Sequence, residues 1–239
     1  MIHGQGVVAK RSLRSIRREA TIEALLDRSM ELIEQGGIAG LTLQRLAHSL
    51  GYVTTAVYRY FDSKDALIAV LQRKAIGDIQ LLFESILAKR MAALAHVASP
   101  TRSLAAILVT AQMYLDLPRT APRAWQLVAT LLGDPHLYLS NEESRRAAPV
   151  LGDFLSGVEA LFTTAVDSGA LHRGAANIRT LDFWAALHGA LCLGKLNRIS
   201  ADLPSANSIG LDAVRSILKG FGATTVRLSA AARALEKAG

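Results

Sequence analysis

The sequence has few of the residues that cross-link or stiffen small proteins. Its only cysteine, Cys192, can form neither an intramolecular disulfide nor a cysteine-based zinc site. Aromatic residues make up 5% of the 239 positions, whereas hydrophobic residues reach 51%. This composition excludes disordered and collagen-like chains and favours helices over strands. A single thiol is also typical of a reducing compartment.

Long hydrophobic runs are missing as well. The two longest, 104–110 and 184–194, are shorter than the roughly 20 residues that cross a bilayer as a helix. The N-terminal 20 residues are basic and lack the apolar core of a signal peptide. We therefore expect a cytoplasmic protein with no membrane partner.

Positive charge is unevenly placed. Lys and Arg outnumber Asp and Glu by 27 to 20, a net charge of +7. Five of the cations fall within the first 18 residues, a stretch without acids: Lys10, Arg11, Arg14, Arg17 and Arg18. Such a segment suits a polyanion such as DNA, although a solvated, frayed terminus has the same composition.

Residues 15–65 predict three helices and the start of a fourth. From Ser15, apolar residues recur every three or four positions until Gly36-Gly37 ends the first helix. Thr42 is a natural N-cap for a second helix, which Gly51 terminates. A third helix is expected over Thr54–Phe61 after a turn of about three residues. Ser63 then caps the following helix.

The remainder of the chain shows helix after helix, without strand-like alternation. We expect an all-α protein with a flexible basic arm at 1–14, a DNA-binding domain at 15–65 and a larger helical domain at 66–239. The predicted helix breaks in the larger domain are Ser99-Pro100, Leu117-Pro118, Gly133-Asp134-Pro135, Ser168-Gly169, Gly174, Pro204-Ser205 and Gly220-Phe221-Gly222.

The spacing over residues 42–60 is typical of a helix-turn-helix, whose second helix enters the DNA major groove. Ala47 and Val57 occupy positions where the two helices would share a core. No carboxylate occurs from Thr42 to Phe61, as expected for a surface that faces a polyanion. An ordinary helical hairpin with a polar outer face is the alternative on spacing alone.

Residues 15–68 also resemble the N-terminal domain of the TetR family of transcriptional regulators. A second, weaker match, Phe183-Trp184-Ala185-Ala186-Leu187-His188-Gly189, is similar to the Trp-x-x-x-His-Gly signature of one branch of that family. The N-terminal stretches that carry the resemblance run from Ala24-Leu25-Leu26-Asp27 to Gly36, through Gly40-Leu41-Thr42-Leu43-Gln44-Arg45-Leu46-Ala47 and Leu50-Gly51-Tyr52-Val53-Thr54-Thr55-Ala56-Val57-Tyr58-Arg59-Tyr60-Phe61, to Ser63-Lys64-Asp65-Ala66-Leu67.

The resemblance implies a homodimeric repressor that binds a palindromic operator in double-stranded DNA and leaves it when a small molecule binds. The resemblance implies an effector without naming this unknown small molecule. A regulator of the same fold that senses no ligand, or that activates transcription, is the alternative. An enzyme is not expected, because the sequence lacks a recognisable nucleophile, base and orienting group, and no cofactor is predicted.

The candidate DNA contacts follow from chemistry and from the resemblance. Hydroxyls, amides and an ammonium at helix N-termini can bind phosphate, and the first residues of the recognition helix approach base edges. Family members use the places of Gln44 and Arg45 for base or phosphate contacts. The full set is Thr42, Gln44, Arg45, Thr54, Thr55, Ala56, Tyr58, Arg59, Tyr60 and Lys64.

A ligand pocket is predicted less directly, because pocket and core use the same residue types. The candidates are Phe83, Met113, Tyr114, Trp125, Phe154 and His188. Cys192 lies one helical turn after His188, and a buried structural cysteine is expected there rather than a nucleophile. The histidines at 96, 136, 172 and 188 are too scattered to predict a metal site. The dimer interface is expected from Glu143–Ser168 and Asn177–Ile199, which are apolar on more than one face.

Overall fold

Every regular element in the described part of the protein is a helix. The computed structural model describes residues 13–133, 138–194, 196, 199, 200 and 202–238. The expectation of an all-α fold is therefore confirmed. The chain divides into two compact units, a head unit that ends at Leu71 and a body unit that begins at Gln72.

The head unit contains α1 (Leu13–Gly40), α2 (Leu43–Ser49), α3 (Thr54–Tyr58) and the first turns of α4 (Lys64–Ala93). Its small core is made of aliphatic side chains from each of these helices. Burial of this face holds α2 and α3 in place, since helices of seven and five residues are too short to be stable alone. The fully buried core residues include Leu25, Leu41, Leu46, Val57 and Leu67.

Three helix boundaries in the head unit differ from the expectation. Helix α1 does not end at Gly36-Gly37 but continues to Gly40 through a kink at Gly37, whose φ is 66°, and Ile38 beyond the kink is buried. Helix α1 begins at Leu13, so Arg14 belongs to a helix rather than to an arm. Helix α3 ends at Tyr58, three residues earlier than expected, because Phe61 turns into the core, where it is 4% exposed. The amides of Tyr60 and Phe61 both bond to the carbonyl of Val57 in this turn.

The body unit is a bundle built around one buried helix. Helix α5 (Ser99–Thr120) packs against α6 (Pro122–Gly133), α7 (Asn141–Asp167), α8 (Ala176–Leu193), α9 (Ala206–Gly220) and α10 (Thr225–Lys237). It is buried on most of its circumference, from Ser103 to Leu117. Phe162 of α7 is fully buried and contacts Phe183 and Phe221 edge to face, with ring centroids 5.7 and 6.2 Å apart.

The helix break expected at Leu117-Pro118 is wrong. Helix α5 continues to Thr120 through Pro118, whose ring faces solvent. Proline removes a single backbone hydrogen bond there, in the last turn of the helix, where the loss is tolerated. Other expected breaks coincide with helix ends, among them Ser99, Gly133 and Ser168. Asp134 and Pro135 lie outside the described residues.

Helix α7 is apolar yet poorly covered by its own unit. By length and composition alone it could cross a membrane, a helix that our search for uninterrupted apolar runs missed. Only 17% of its most apolar window is buried. Besides charged residues such as Arg145, Arg146 and Asp153, it exposes mainly small residues, which distinguishes this face from a lipid-facing one rich in large apolar side chains. The small exposed residues include Ala148, Pro149, Gly152, Ser156, Gly157, Ala160, Thr163 and Thr164.

Candidate nucleic-acid interface and apolar cavity

Hydrogen bonds fix both ends of α2, and those at its C-terminal end, which join backbone atoms only, form the turn to α3. The Thr42 hydroxyl accepts a hydrogen bond from the Arg45 amide at 3.0 Å and caps α2, as expected. At the other end, the amide of Tyr52 bonds to Ala47 O and the amide of Gly51 to His48 O. This is a Schellman motif, and it requires the positive φ of 70° that Gly51 supplies.

The candidate DNA contacts of this motif are all at least partly accessible to solvent. Val57 is 0% exposed and anchors α3, whereas Tyr58 beside it is 50% exposed. Arg59 and Tyr60 follow the helix rather than belong to it. None of the ten candidates is buried: Thr42, Gln44, Arg45, Thr55, Tyr58 and Arg59 are exposed, and Thr54, Ala56, Tyr60 and Lys64 are half-buried.

A basic groove extends this surface onto α1. The groove has a volume of about 400 Å³ and is lined by Leu13, Arg14, Arg17, Arg18, Thr21, Arg59 and Tyr60. The Arg18 guanidinium lies over the Tyr60 ring, 5.8 Å from its centroid. Four arginines therefore line one depression, and none of the described lining residues is a carboxylate. Lys10 and Arg11, the other cations of the expected arm, lie outside the described residues.

Arg45 and Lys64 occupy different local settings. Arg45 Nη1 donates to the carbonyl of Gly40 at 3.1 Å, so this side chain links α2 to the end of α1. Lys64 is the first residue of α4, which Ser63 caps through a 3.0 Å bond from the Ala66 amide. The expected cap is thus observed, and it leaves the Lys64 ammonium beside a helix N-terminus.

The body unit contains an apolar cavity of about 200 Å³. Two of the six ligand candidates, Tyr114 and Phe154, line it. Sequence reasoning missed the aliphatic majority of the lining, because leucine and isoleucine at helical spacing look the same in a pocket and in a core. The other lining residues are Ile76, Ile79, Leu117, Val128, Leu132, Leu151, Leu155, Leu181 and Trp184.

An aromatic cluster closes one side of the cavity. Trp184 Nε1 donates to the Tyr114 hydroxyl at 2.8 Å, and His188 Nδ1 is hydrogen-bonded to the same oxygen at 3.0 Å. Trp125 packs edge to face on Tyr114, with centroids 5.6 Å apart. A Cβ at Gly133 would overlap the His188 ring, so this glycine makes room for it.

Burial in this cluster keeps both titratable rings neutral. Desolvation raises the pKa of the Tyr114 hydroxyl well above its usual range, against the opposing effect of the hydrogen bond from Trp184. Desolvation also lowers the pKa of His188, because burial disfavours the imidazolium. The cluster therefore presents hydrogen-bonding groups but no charge.

The remaining candidates lie outside the cavity lining. Phe83 is buried and packs on Phe154, with ring centroids 6.0 Å apart, and Met113 is buried in α5. Trp125 packs on Tyr114 and His188 is hydrogen-bonded to it, but neither lines the cavity. The expectation that Cys192 is buried is wrong: the thiol is exposed, because it lies on the outer face of α8. Among the described residues, no three His, Cys, Asp or Glu side chains could hold a metal ion.

Comparison with known proteins identifies the head unit. Residues 25–71 match the N-terminal family profile TetR_N, described as bacterial regulatory proteins of the tetR family. The chain is also 46% identical over 43 residues to the HTH-type transcriptional regulator Rv1816 of Mycobacterium tuberculosis, which is 18% of either chain. This similarity thus spans less than a fifth of that relative's length.

Solved structures resemble the chain over most of its length. SmeT, the repressor of the Stenotrophomonas maltophilia multidrug efflux pump SmeDEF, has a TM-score of 0.55 at 21% identity and covers 85% of this chain and 91% of its own. FadR of Bacillus subtilis, in complex with stearoyl-CoA, has a TM-score of 0.61 at 14% identity, covering 83% and 98%. At these identities the likeness concerns the fold.

Proposed function

We propose that this chain is a homodimeric repressor of the TetR family of bacterial regulatory proteins, whose N-terminal profile it matches over residues 25–71. In this proposal it binds a palindromic operator in double-stranded DNA and dissociates when a small-molecule effector enters the body unit. The family consists of transcriptional regulators, not enzymes. A protein that acts on bacterial DNA works in the cytoplasm.

The exposed helix-turn-helix surface is the observation that carries this proposal. None of the ten candidate contacts is buried, nine of them are polar, and Val57 between them is fully buried, so the motif leaves these side chains accessible to DNA. The groove lined by Arg14, Arg17, Arg18 and Arg59 supports contacts with several phosphates. We propose that Thr54, Thr55 and Ala56 approach base edges, while Thr42, Gln44, Tyr58, Arg59, Tyr60 and Lys64 bind phosphate or bases and Arg45 chiefly orients α2.

The outer faces of α7 and α8 support the homodimer. Small residues along α7 allow a second helix to approach closely, and only 17% of the residues in its apolar window are buried. Helix α8 exposes Ile178 and Leu193, together with Leu181, which is 46% exposed although it also lines the cavity. Apolar residues exposed on neighbouring helices are commonly covered by association with a second copy. These two helices are the segments that the sequence predicts for the interface.

The cavity supports the effector. It lies among five helices of the body unit, where helical bundles commonly hold ligands. FadR of B. subtilis holds stearoyl-CoA on a similar fold, and SmeT is a repressor. Stearoyl-CoA is long and polyanionic, whereas the cavity of this chain is small and the lining residues that the structure describes are uncharged. We therefore propose small-molecule control with a different ligand.

The first test is DNA binding by an arginine variant. We expect Arg59→Ala to weaken operator binding by about 1–3 kcal/mol and to reduce the salt dependence by about one phosphate contact. Arg119→Ala is the matched control, because Arg119 is 76% exposed in the body unit, where it pairs with Asp116. Fluorescence anisotropy at about 150 mM salt with competitor DNA measures both, since non-specific binding collapses under these conditions.

Three results would contradict parts of the proposal. Equal affinities and salt slopes for the wild type and Arg59→Ala would show that this surface does not face DNA. A monomeric mass in solution at micromolar concentration would exclude the homodimer. A reporter assay in which binding of the protein to the operator raises transcription would favour an activator over a repressor.

A further inference from the structure

We infer that the body-unit cavity selects an uncharged, single-ring apolar compound, held by shape and by at most one hydrogen bond to Tyr114. This inference rests on the proposed function, because it names the chemical class of the effector. Three features support it: the size of the cavity, its lining, and the hydrogen bonds already made by its one cavity-lining hydroxyl group.

The size of the cavity limits the ligand to about one substituted ring. An apolar cavity of about 150 Å³ lined by Leu, Ile and Phe stays dry and binds benzene. At about 200 Å³ this cavity has room for a ring with one or two small substituents. It falls below the range of roughly 300–1,000 Å³ usual for larger ligands.

The lining excludes charged ligands. None of the eleven described lining residues carries a formal charge, and nine of them are aliphatic or phenylalanine. His188, the imidazole bonded to Tyr114, is kept neutral because burial lowers its pKa. A carboxylate or ammonium would lose its hydration here without gaining a counter-charge, which is costly in an apolar site.

The polar groups that line the cavity already make most of their possible hydrogen bonds within the protein. A hydroxyl can donate one hydrogen bond and accept two. The Tyr114 hydroxyl accepts from Trp184 and is bonded to His188 Nδ1, so a single position remains. The Trp184 indole N–H is likewise committed to Tyr114. A ligand that needs several polar partners would leave most of them unsatisfied.

Both tryptophans of the chain report on this site. Trp184 lines the cavity, and Trp125 packs on Tyr114. Binding can therefore be followed by intrinsic fluorescence excited at the tryptophan edge, without a label. Isothermal titration provides an independent measurement.

The central comparison of the experiment is between toluene and benzoate, which have nearly the same shape, and two further probes extend it. Toluene is neutral and benzoate is anionic, and dodecanoate adds a long-chain acid. We expect toluene to bind saturably, at least tenfold more tightly than either acid. Benzyl alcohol, which can make one hydrogen bond, should bind within a few-fold of toluene.

Filling the cavity should remove this binding. Val128→Phe places a ring in the cavity, and Leu155→Phe does so from α7 if the first variant does not fold. Leu81→Phe is the matched control, because Leu81 is 67% exposed on α4 and outside the lining. We expect a loss of at least tenfold in toluene affinity for the filled variants and none for the control.

The outcomes separate this inference from the proposed function. Benzoate or dodecanoate binding as tightly as toluene would overturn the ligand class, whether or not the protein binds DNA. Toluene binding that survives both filled variants would overturn the site. No toluene binding, with a dimer that weakens in Val128→Phe, would assign the cavity to packing between subunits and overturn the inference. Saturable binding lost on filling would support the class even if the DNA complex persisted, and only the proposed control by ligand would then fail.

Discussion

The head and body units use opposite kinds of residue for their proposed functions. In the head unit the candidate contacts are mostly polar and none is buried, and a few buried aliphatic residues hold them in position. In the body unit the cavity lining is largely apolar, and part of it, such as Tyr114 and Leu117, is also buried core. Stability alone does not explain a polar, exposed residue on a short helix, so such a residue points to binding. A buried leucine is explained by stability alone.

This difference predicts how each unit responds to substitution. Changes to the head surface should alter binding and spare stability, because exposed side chains contribute little to the core. Changes in the body unit should alter both together, because the same atoms fill the core and line the cavity. Three substitutions test this contrast, in decreasing order of expected effect.

The largest effect is expected at Phe162. Phe162→Ala removes a fully buried ring that contacts Phe183 and Phe221, and it should lower the free energy of unfolding by about 3–5 kcal/mol. Urea unfolding followed by tryptophan fluorescence measures this, since both tryptophans lie in the body unit. Leu81→Ala, at an exposed position, should change it by less than about 0.5 kcal/mol. Equal effects would contradict the described core.

A smaller effect is expected at the cap of α2. Thr42→Ala removes the hydroxyl that accepts from the Arg45 amide, which should cost about 1 kcal/mol. Amide hydrogen exchange in α2 should accelerate about fivefold if local opening follows this cost. Thr42→Ser retains the hydroxyl and should leave exchange within twofold of the wild type. Unchanged exchange in the alanine variant would show that the cap contributes little.

The smallest effect concerns pH. Because burial lowers the pKa of His188 in the folded state, the unfolded state takes up a proton more readily below about pH 6.5. The contribution of His188 to the free energy of unfolding is therefore complete above about pH 6.5 and declines as the pH falls. Thermal melts between pH 5 and pH 8 should show a steeper acid-side decline for the wild type than for His188→Asn. A parallel decline in both would be evidence against this titration, and His48→Asn, at an exposed position in the head unit, is the control.

Sequence reasoning succeeded where local rules determine structure. Thr42 and Ser63 cap helices because a hydroxyl before a helix satisfies a free amide, whatever the distant surroundings. Gly51 ends α2 because its φ is positive. The end of α3 escaped prediction, since it depends on Phe61 entering a core assembled from other helices.

The body unit was harder to predict because packing determines which apolar residues surround a cavity. Leu117 and Val128 line it, while Met113 on the same helix as Leu117 does not. Exposure of Cys192 depends on which side of α8 faces the bundle, and the sequence is apolar on several sides. Pro118 was overrated as a helix breaker, since its effect depends on its place in the last turn.

The Schellman turn at Gly51 has a consequence for how operator preference can evolve. Its hydrogen bonds join backbone atoms of Ala47, His48, Gly51 and Tyr52, and they use no side chain from α3. The exposed residues of α3 can therefore mutate without disturbing the bend that presents them. Lineages descended from this chain can diverge in the DNA they recognise through single substitutions at Thr55 or Arg59, while the same scaffold is inherited unchanged.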